Sequence, residues 1–171
     1  MEIRRLNESD ARAFYECLKT LDQETPYMMY EPDERVWDEE HIRRILSNEE
    51  SLLLGVFDRK KAVGFISADR GSCRRTRHCA YVVIGILKEY GHRGIGTELF
   101  RRLENWADEN GITRLELTVE VPNRNAVDLY KKSGFVVEGT KKGTMLVDGR
   151  YVDEYMMARV VQEPQTKGER L

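Results

Sequence analysis

The chain has 171 residues, enough for one well-buried domain, and its 40% hydrophobic and 34% charged content suits a core with a polar surface. A net charge of −2 gives no electrostatic case for nucleic acid or an anionic membrane. No apolar run approaches a membrane span, and Met1-Glu2-Ile3-Arg4-Arg5 lacks the apolar core of a signal peptide, so a cytoplasmic protein is expected.

Glu2 to Leu6 reads as a short strand. Asn7-Glu8-Ser9-Asp10 offers helix caps, and Ala11, Phe14, Leu18 and Leu21 then fall on one helical face. Pro26 ends that helix, and a loop runs to Arg35. Asp38-Glu39-Glu40 suits a second helix start, with Ile42, Ile45 and Leu46 as its apolar side. Ser51 to Phe57 and Ala62 to Ala68 form a hairpin around Asp58-Arg59-Lys60-Lys61, followed by a polar, basic stretch from Gly71 to Arg77.

The apolar run Ala80 to Leu87 reads as a strand. Glu98 to Asn110 reads as a helix that buries Leu99, Leu103, Trp106 and Ala107 and stops at Gly111. Ile112 to Val121 alternates, with Leu115, Leu117, Val119 and Val121 on one face and Glu116, Thr118 and Glu120 on the other. Pro122-Asn123 opens a short helix that Gly134 stops. Phe135 to Val147 and Tyr151 to Val161 pair through Asp148-Gly149, a hairpin signal. Strands and helices interleave, so the class is α/β, or α+β if mixed strand directions decide the label. One domain is expected over residues 1–161, with a polar tail at 162–171. Cys17, Cys73 and Cys79 lack paired-ligand spacing and read as reduced thiols, and His41, His78 and His92 form no helix-spaced pair, so no metal is expected.

Gly91-His92-Arg93-Gly94-Ile95-Gly96-Thr97 lies between a strand and a helix. A glycine-rich turn there exposes consecutive N–H groups at the positive end of the helix dipole, which favours a phosphate or pyrophosphate. A nucleoside-triphosphate loop is excluded, because Thr97 stands where its lysine must be. A dinucleotide loop is a half-match, because Leu99 replaces the last glycine.

The third possibility is the pyrophosphate loop of coenzyme A transferases, and here the chain resembles the GNAT family, the Gcn5-related N-acetyltransferases. Their pattern of Arg/Gln-x-x-Gly-x-Gly/Ala falls on Gly91-His92-Arg93-Gly94-Ile95-Gly96, with Gly91 where Arg or Gln is usual. Asn123 to Phe135 resembles the family's next segment, in which an Asn opens a short helix, a Tyr sits late in it and Gly-Phe begins a strand. Glu138-Gly139 through Asp148-Gly149-Arg150-Tyr151-Val152-Asp153-Glu154 is similar to the closing hairpin of the branch with ribosomal-protein and polyamine acetyltransferases. Thr25 to Pro32 resembles a segment of the same branch.

The resemblance implies a single domain with a mixed, mostly antiparallel sheet of about seven strands and helices on both faces. It implies that the strands around residues 80–87 and 112–121 splay apart to take a pantetheine arm. Acetyl-CoA is the implied co-substrate, with contacts from Ile84, Gly85, Ile86, His92, Arg93, Gly94, Ile95, Gly96, Thr97, Asn123 and Asn125. The implied reaction is direct attack of a primary amine on the thioester, with backbone N–H groups around Ile84 to Ile86 receiving the oxyanion. The late-helix Tyr maps to Tyr130, a phenol able to protonate the leaving thiolate; its ring alternatively just packs beside Phe135.

For the general base, Tyr81 stands where many relatives carry Glu. Glu120 is the best substitute; a solvent-facing Glu120 with a water as base is the alternative. The loop Glu31-Pro32-Asp33-Glu34 either helps to hold a cationic acceptor or only solubilises. The acceptor is left open between a small amine, polyamine or amino acid and a protein amino terminus. A catalytically inactive coenzyme-A-binding sensor or scaffold is the alternative class, and a homodimer is expected by family analogy alone.

Overall fold

A computed structural model describes residues 1–161; the tail expected at 162–171 lies outside the described residues. Strand β1 (Glu2–Arg5) runs into Asn7, whose side chain accepts from the Ser9 N–H while Asp10 accepts from the Asn7 N–H. This reciprocal cap starts a short 3₁₀ turn and then α1 (Ala11–Glu24). Asp38 caps α2 (Glu39–Leu46) by accepting from the His41 N–H. Of the apolar side expected for α2, Ile42 and Leu46 are buried but Ile45 is exposed. The helix has only eight residues, and Ile42 and Leu46 form its one i,i+4 ridge toward α1.

Strands β2 (Leu52–Asp58) and β3 (Lys61–Arg70) form the expected hairpin, and β4 (Cys79–Ile86) returns beside β3. Helix α3 (Ile95–Glu109) begins at Ile95 rather than Glu98. The left-handed Gly94 (φ 76°) turns the chain, and the Glu98 N–H bonds the Gly94 carbonyl at 3.1 Å, so the end of the glycine-rich stretch is already helix. Strand β5 (Arg114–Glu120) and helix α4 (Arg124–Lys132) follow. Val121 falls beyond β5 and is half-buried, unlike Leu115, Leu117 and Val119. Strands β6 (Val136–Val147) and β7 (Arg150–Val160) join through Asp148 (φ 49°) and Gly149 (φ 74°), the paired positive φ of a tight hairpin.

The seven strands form one sheet in the order β1-β2-β3-β4-β5-β7-β6, antiparallel throughout except for β4–β5. Strand β7 therefore lies between β5 and its own hairpin partner. Helix α1 covers one face: a Cβ on Gly85 would lie 2.7 Å from Leu21 Cδ1. The next residue, Ile86, points to the other face, where α3 and α4 meet at Gly96 and Leu129. Phe100, Tyr130 and Phe135 stack between these helices and the sheet, with Phe100 5.8 Å from Tyr130 and 5.6 Å from Phe135. All three cysteines are free thiols, and among the described residues no helix is long and apolar enough to cross a membrane.

Candidate active site

Strands β4 and β5 pair only between Cys79–Tyr81 and Arg114–Glu116. Beyond Tyr81, β4 continues along β3 and β5 along β7, so the two strands flank a gap. Strand alternation decides which amides face it. The Leu87 N–H donates to Val63 on β3, so the Gly85 amide also turns to β3, while Ile84 and Ile86 direct N–H and C=O toward the gap. Of the three residues expected at the oxyanion, Gly85 has a packing role instead. A Cβ there would meet Leu21 at 2.7 Å and Phe65 at 2.9 Å.

At the end of β4, the Gly91 N–H closes onto the Lys88 carbonyl at 3.1 Å. His92 (φ 58°) and Gly94 (φ 76°) are both left-handed and flank Arg93, which turns successive N–H groups to one side. The amides of Ile95, Gly96 and Thr97 form the first turn of α3 and have no intrahelical acceptor. Together with the helix dipole they make an anion cradle built from backbone. Gly94 is required by its φ. Gly96 is required by packing, because a Cβ there would lie 2.8 Å from Leu129 Cδ2, so it seats α4 rather than opening the cradle. The Arg93 guanidinium lies 5.0 Å from the Tyr90 ring centroid and donates to the Glu89 carbonyl at 2.9 Å. The Tyr90 hydroxyl in turn donates to Asp58 at 2.9 Å, tying the loop to the β2–β3 turn. Asn123 caps α4, its Oδ1 accepting from the Ala126 N–H at 3.4 Å, while Asn125 is exposed.

Tyr130 lies in the last turn of α4 with its ring 5.8 Å from Phe100 and 6.2 Å from Phe135. Burial first, and the Tyr81 phenol second, hold its pKa above the ordinary phenol range, so its hydroxyl stays protonated and able to donate. The expected packing contact and a free hydroxyl thus coexist.

Glu120 does not face solvent. It is 5% exposed, and its Oε1 has no hydrogen-bond partner. Glu154 stands directly opposite on β7. Burial first, and Glu154 second, push the Glu120 carboxyl above the usual carboxylate range. On the same face the Tyr81 and Thr118 hydroxyls bond at 2.8 Å, joining β4 to β5.

The segment after α1 is pinned rather than loose. Arg35 makes a bidentate pair with the buried Asp22, stacks 4.5 Å from the Tyr30 ring and offers its carbonyl to Tyr15 at 3.2 Å. The Glu34 carboxylate accepts the Glu31 N–H at 2.7 Å. A cavity of about 260 Å³ lies between residues 22–32 and the β6–β7 tip at Met145–Asp148. Its charged lining side chains are all carboxylates: Asp22, Glu24, Glu31 and Asp148.

The acetyltransferase (GNAT) family model matches residues 7–135. The chain belongs to the GNAT family. It is 39% identical over 102 residues to the L-amino acid N-acetyltransferase AaaT of Escherichia coli K12, a match covering 57% of this chain and 61% of that protein. It thus spans less than two thirds of that relative's length. The crystal structure of a GNAT acetyltransferase from Streptococcus pneumoniae superimposes with a TM-score of 0.88 at 30% identity, covering 94% of this chain and 99% of that one. The yncA structure from Salmonella typhimurium, solved with its cofactor acetyl-CoA, shares the fold at 19% identity, with a TM-score of 0.84 and 98% of each chain covered.

Within this GNAT scaffold the structure assembles residues that sequence reading left unconnected. Glu154 is the main one. Its pairing with Glu120 depends on β7 inserting beside β5, which the hairpin signal at Asp148-Gly149 does not reveal. Asp22 carried a weak signal, as a charged residue next to the apolar Leu21 in α1. The Tyr81–Thr118 bridge follows from two residues on the polar faces of adjacent strands, once those strands are known to be parallel.

Proposed function

We propose that this protein is an acetyl-CoA-dependent N-acetyltransferase that moves the acetyl group to a primary amine by direct attack in a ternary complex. Residues 1–161 form its catalytic domain. The activities named for its relatives support this reading, and one observation in the chain carries it. Among the described residues, Glu120 Oε1 is the only fully buried side-chain polar atom without a hydrogen bond, and it stands at the end of the strand that parts from β4. Buried polar atoms are otherwise almost always paired. A domain that merely bound coenzyme A would have no use for this one.

Acetyl-CoA fits the site through the backbone cradle at His92–Thr97 and the open amides of Ile84 and Ile86. When bound it supplies an activated thioester carbonyl. Glu120 takes a proton from the acceptor ammonium and frees the nitrogen lone pair. The Ile84 and Ile86 N–H groups donate to the carbonyl oxygen as the N–C bond forms and the oxygen gains charge. Tyr130 gives its hydroxyl proton to sulfur as the C–S bond breaks, and is reprotonated from solvent. The nitrogen loses two protons in all, one balancing the thiol and one released.

Calorimetry and a thiol-release assay test this. Acetyl-CoA should bind in preference to NAD, and coenzyme A should appear only when an amine is present. Binding without turnover across an amine panel would leave a sensor; preference for NAD would remove the assignment.

A further inference from the structure

Side chains mark the closed end of the β4–β5 gap. Backbone pairing stops at Tyr81 opposite Glu116. The Tyr81 side chain leans forward from there, and its hydroxyl bonds Thr118 Oγ1 at 2.8 Å, two residues further along β5. An aromatic side chain reaches a diagonal neighbour in this way. The register of the last pair, carried forward, sets Thr118 level with Val83. The bridge therefore crosses between the strands where no backbone pair joins them.

Ile84 follows Val83 on β4, about 3.3 Å further along the strand, and turns its N–H to the gap. In the acetyl-transfer reading this amide meets the thioester carbonyl, and the cradle beyond Ile86 holds the phosphates. The acyl group is then the leading end of the coenzyme, pointed at the bridge. Beneath it, Val82 and Leu117 are each 3% exposed and belong to the core. Ahead of it the two strands are paired. Tyr130 comes from the face of α3 and α4, and the Tyr81 phenol from the other face is the second cause that raises its pKa, so the two phenols are neighbours across the gap. A chain longer than acetyl thus has packed core below, paired backbone ahead and the hydroxyl bridge above.

We propose that the Tyr81–Thr118 bridge is the acyl-length stop of this site: it leaves room for the methyl of an acetyl group and excludes propionyl and butyryl thioesters. This rests on the acetyl-transfer reading and adds what selects the acyl donor. The hydrogen bond matters as much as the ring. Tyr81 is 38% exposed, and an exposed side chain held by nothing would swing away from an incoming chain. Thr118 fixes the phenol in one rotamer, so the stop is rigid although it stands at the surface.

Calorimetry of acetyl-, propionyl- and butyryl-coenzyme A on the whole protein, with no amine present, tests the stop apart from the chemistry. Wild type should lose about tenfold in affinity for each added methylene, the low end of what a fitted pocket discriminates. Tyr81→Ala should bring the butyryl-to-acetyl ratio back toward one, whereas a merely structural role would weaken all three thioesters together. Thr118→Val and Tyr81→Phe break the bridge but keep both shapes, and should recover part of the butyryl affinity at a melting temperature near wild type. Coenzyme A release with the fastest amine of the panel should follow the same order in kcat/KM. Should Tyr81→Ala not fold, Thr118→Val carries the test. If wild type binds butyryl- as tightly as acetyl-coenzyme A, or the folded variants all keep the wild-type ratio, the proposal is overturned while acetyl transfer stands. If the ratio shifts as expected but no amine releases coenzyme A, the acetyl-transfer reading falls and the stop stands as a binding specificity.

Discussion

The two sides of the β4–β5 gap are made of different material. On the proposed donor side the groups are backbone amides, those of Ile84, Ile86 and His92–Thr97. Side chains such as Arg93, Tyr90 and Asp58 hold that backbone in place. On the proposed acceptor side the groups are side chains from strands far apart in sequence, Glu120 and Glu154. Backbone recognition survives most substitutions, because every residue except proline carries an N–H. Side-chain recognition changes with a single residue. The donor half is therefore generic, and the acceptor half individual.

Glu120→Gln should break the contrast most strongly. Turnover should fall by about 10²–10⁴, the usual worth of a general base, while acetyl-CoA affinity stays the same by calorimetry. Glu120 is faced by Glu154 from β7, with the Tyr81–Thr118 hydroxyl pair on the same face. Its folded pKa is raised, so its contribution to stability is present below the ordinary carboxylate range and is lost as pH rises through the raised value. The melting temperature of the Gln variant should therefore gain on wild type from acid to neutral pH. Wild-type activity should climb over the same interval as Glu120 ionises. A variant that keeps both the rate and the acid limb places the base elsewhere.

Asp22→Asn comes next. It leaves Arg35 largely buried without its charge partner, a change of about 3–5 kcal/mol when a buried pair is broken from one side. Thermal melts should show the loss, and acceptor KM should rise more than acetyl-CoA KM if the Glu31–Glu34 loop next to Arg35 meets the acceptor. Equal changes in both constants would mean that the two halves are not separable.

For Tyr130→Phe, kcat should fall by about 10², the low end for general-acid help, since thiols leave fairly well unaided. Acetyl-CoA affinity and melting temperature should hardly move, because the ring packing stays. Tyr130→Ala should lose about 3–5 kcal/mol of stability as well. A Phe variant with wild-type kcat where chemistry limits the rate would make Tyr130 structural.

The smallest effects sharpen the donor side. Gly94→Ala forces a side chain into left-handed backbone, at about 1–2 kcal/mol, and should weaken acetyl-CoA binding by about tenfold. Gly96→Ala should instead lower the melting temperature and kcat, because it pushes on Leu129, the residue before Tyr130. A Gly96 variant changed only in affinity would return that glycine to the cradle.

The donor side was legible in the sequence because its signals are local. A glycine needed for φ, a strand before it and a helix after it all lie within residues 79–109. The fold was legible for the same reason: caps at Asn7 and Asp38, the stop at Gly111 and the turn at Asp148-Gly149 each act over a few residues. Where local pattern misled, tertiary context had decided: Ile45 has the period of a core residue, but α2 is too short to bury it. Glu120 has the period of a solvent-facing residue, yet it is buried opposite Glu154. That register joins strands separated by a helix and a hairpin, and no spacing rule reaches across both.

The placement of β7 also orders events during synthesis. Until residues 150–160 have left the ribosome, β5 has only its short pairing with β4, and β6 has no neighbour in the sheet. The first four strands can dock with α1 and α2 as the chain emerges, because β1, β2 and β3 have all their strand partners before residue 87 and β4 lacks only its short pairing with β5. The anion cradle is thus encoded well before the carboxylate pair. A nascent chain halted after α4 carries the cradle residues and Glu120 but lacks Glu154, so the carboxylate pair forms only once β7 is in place.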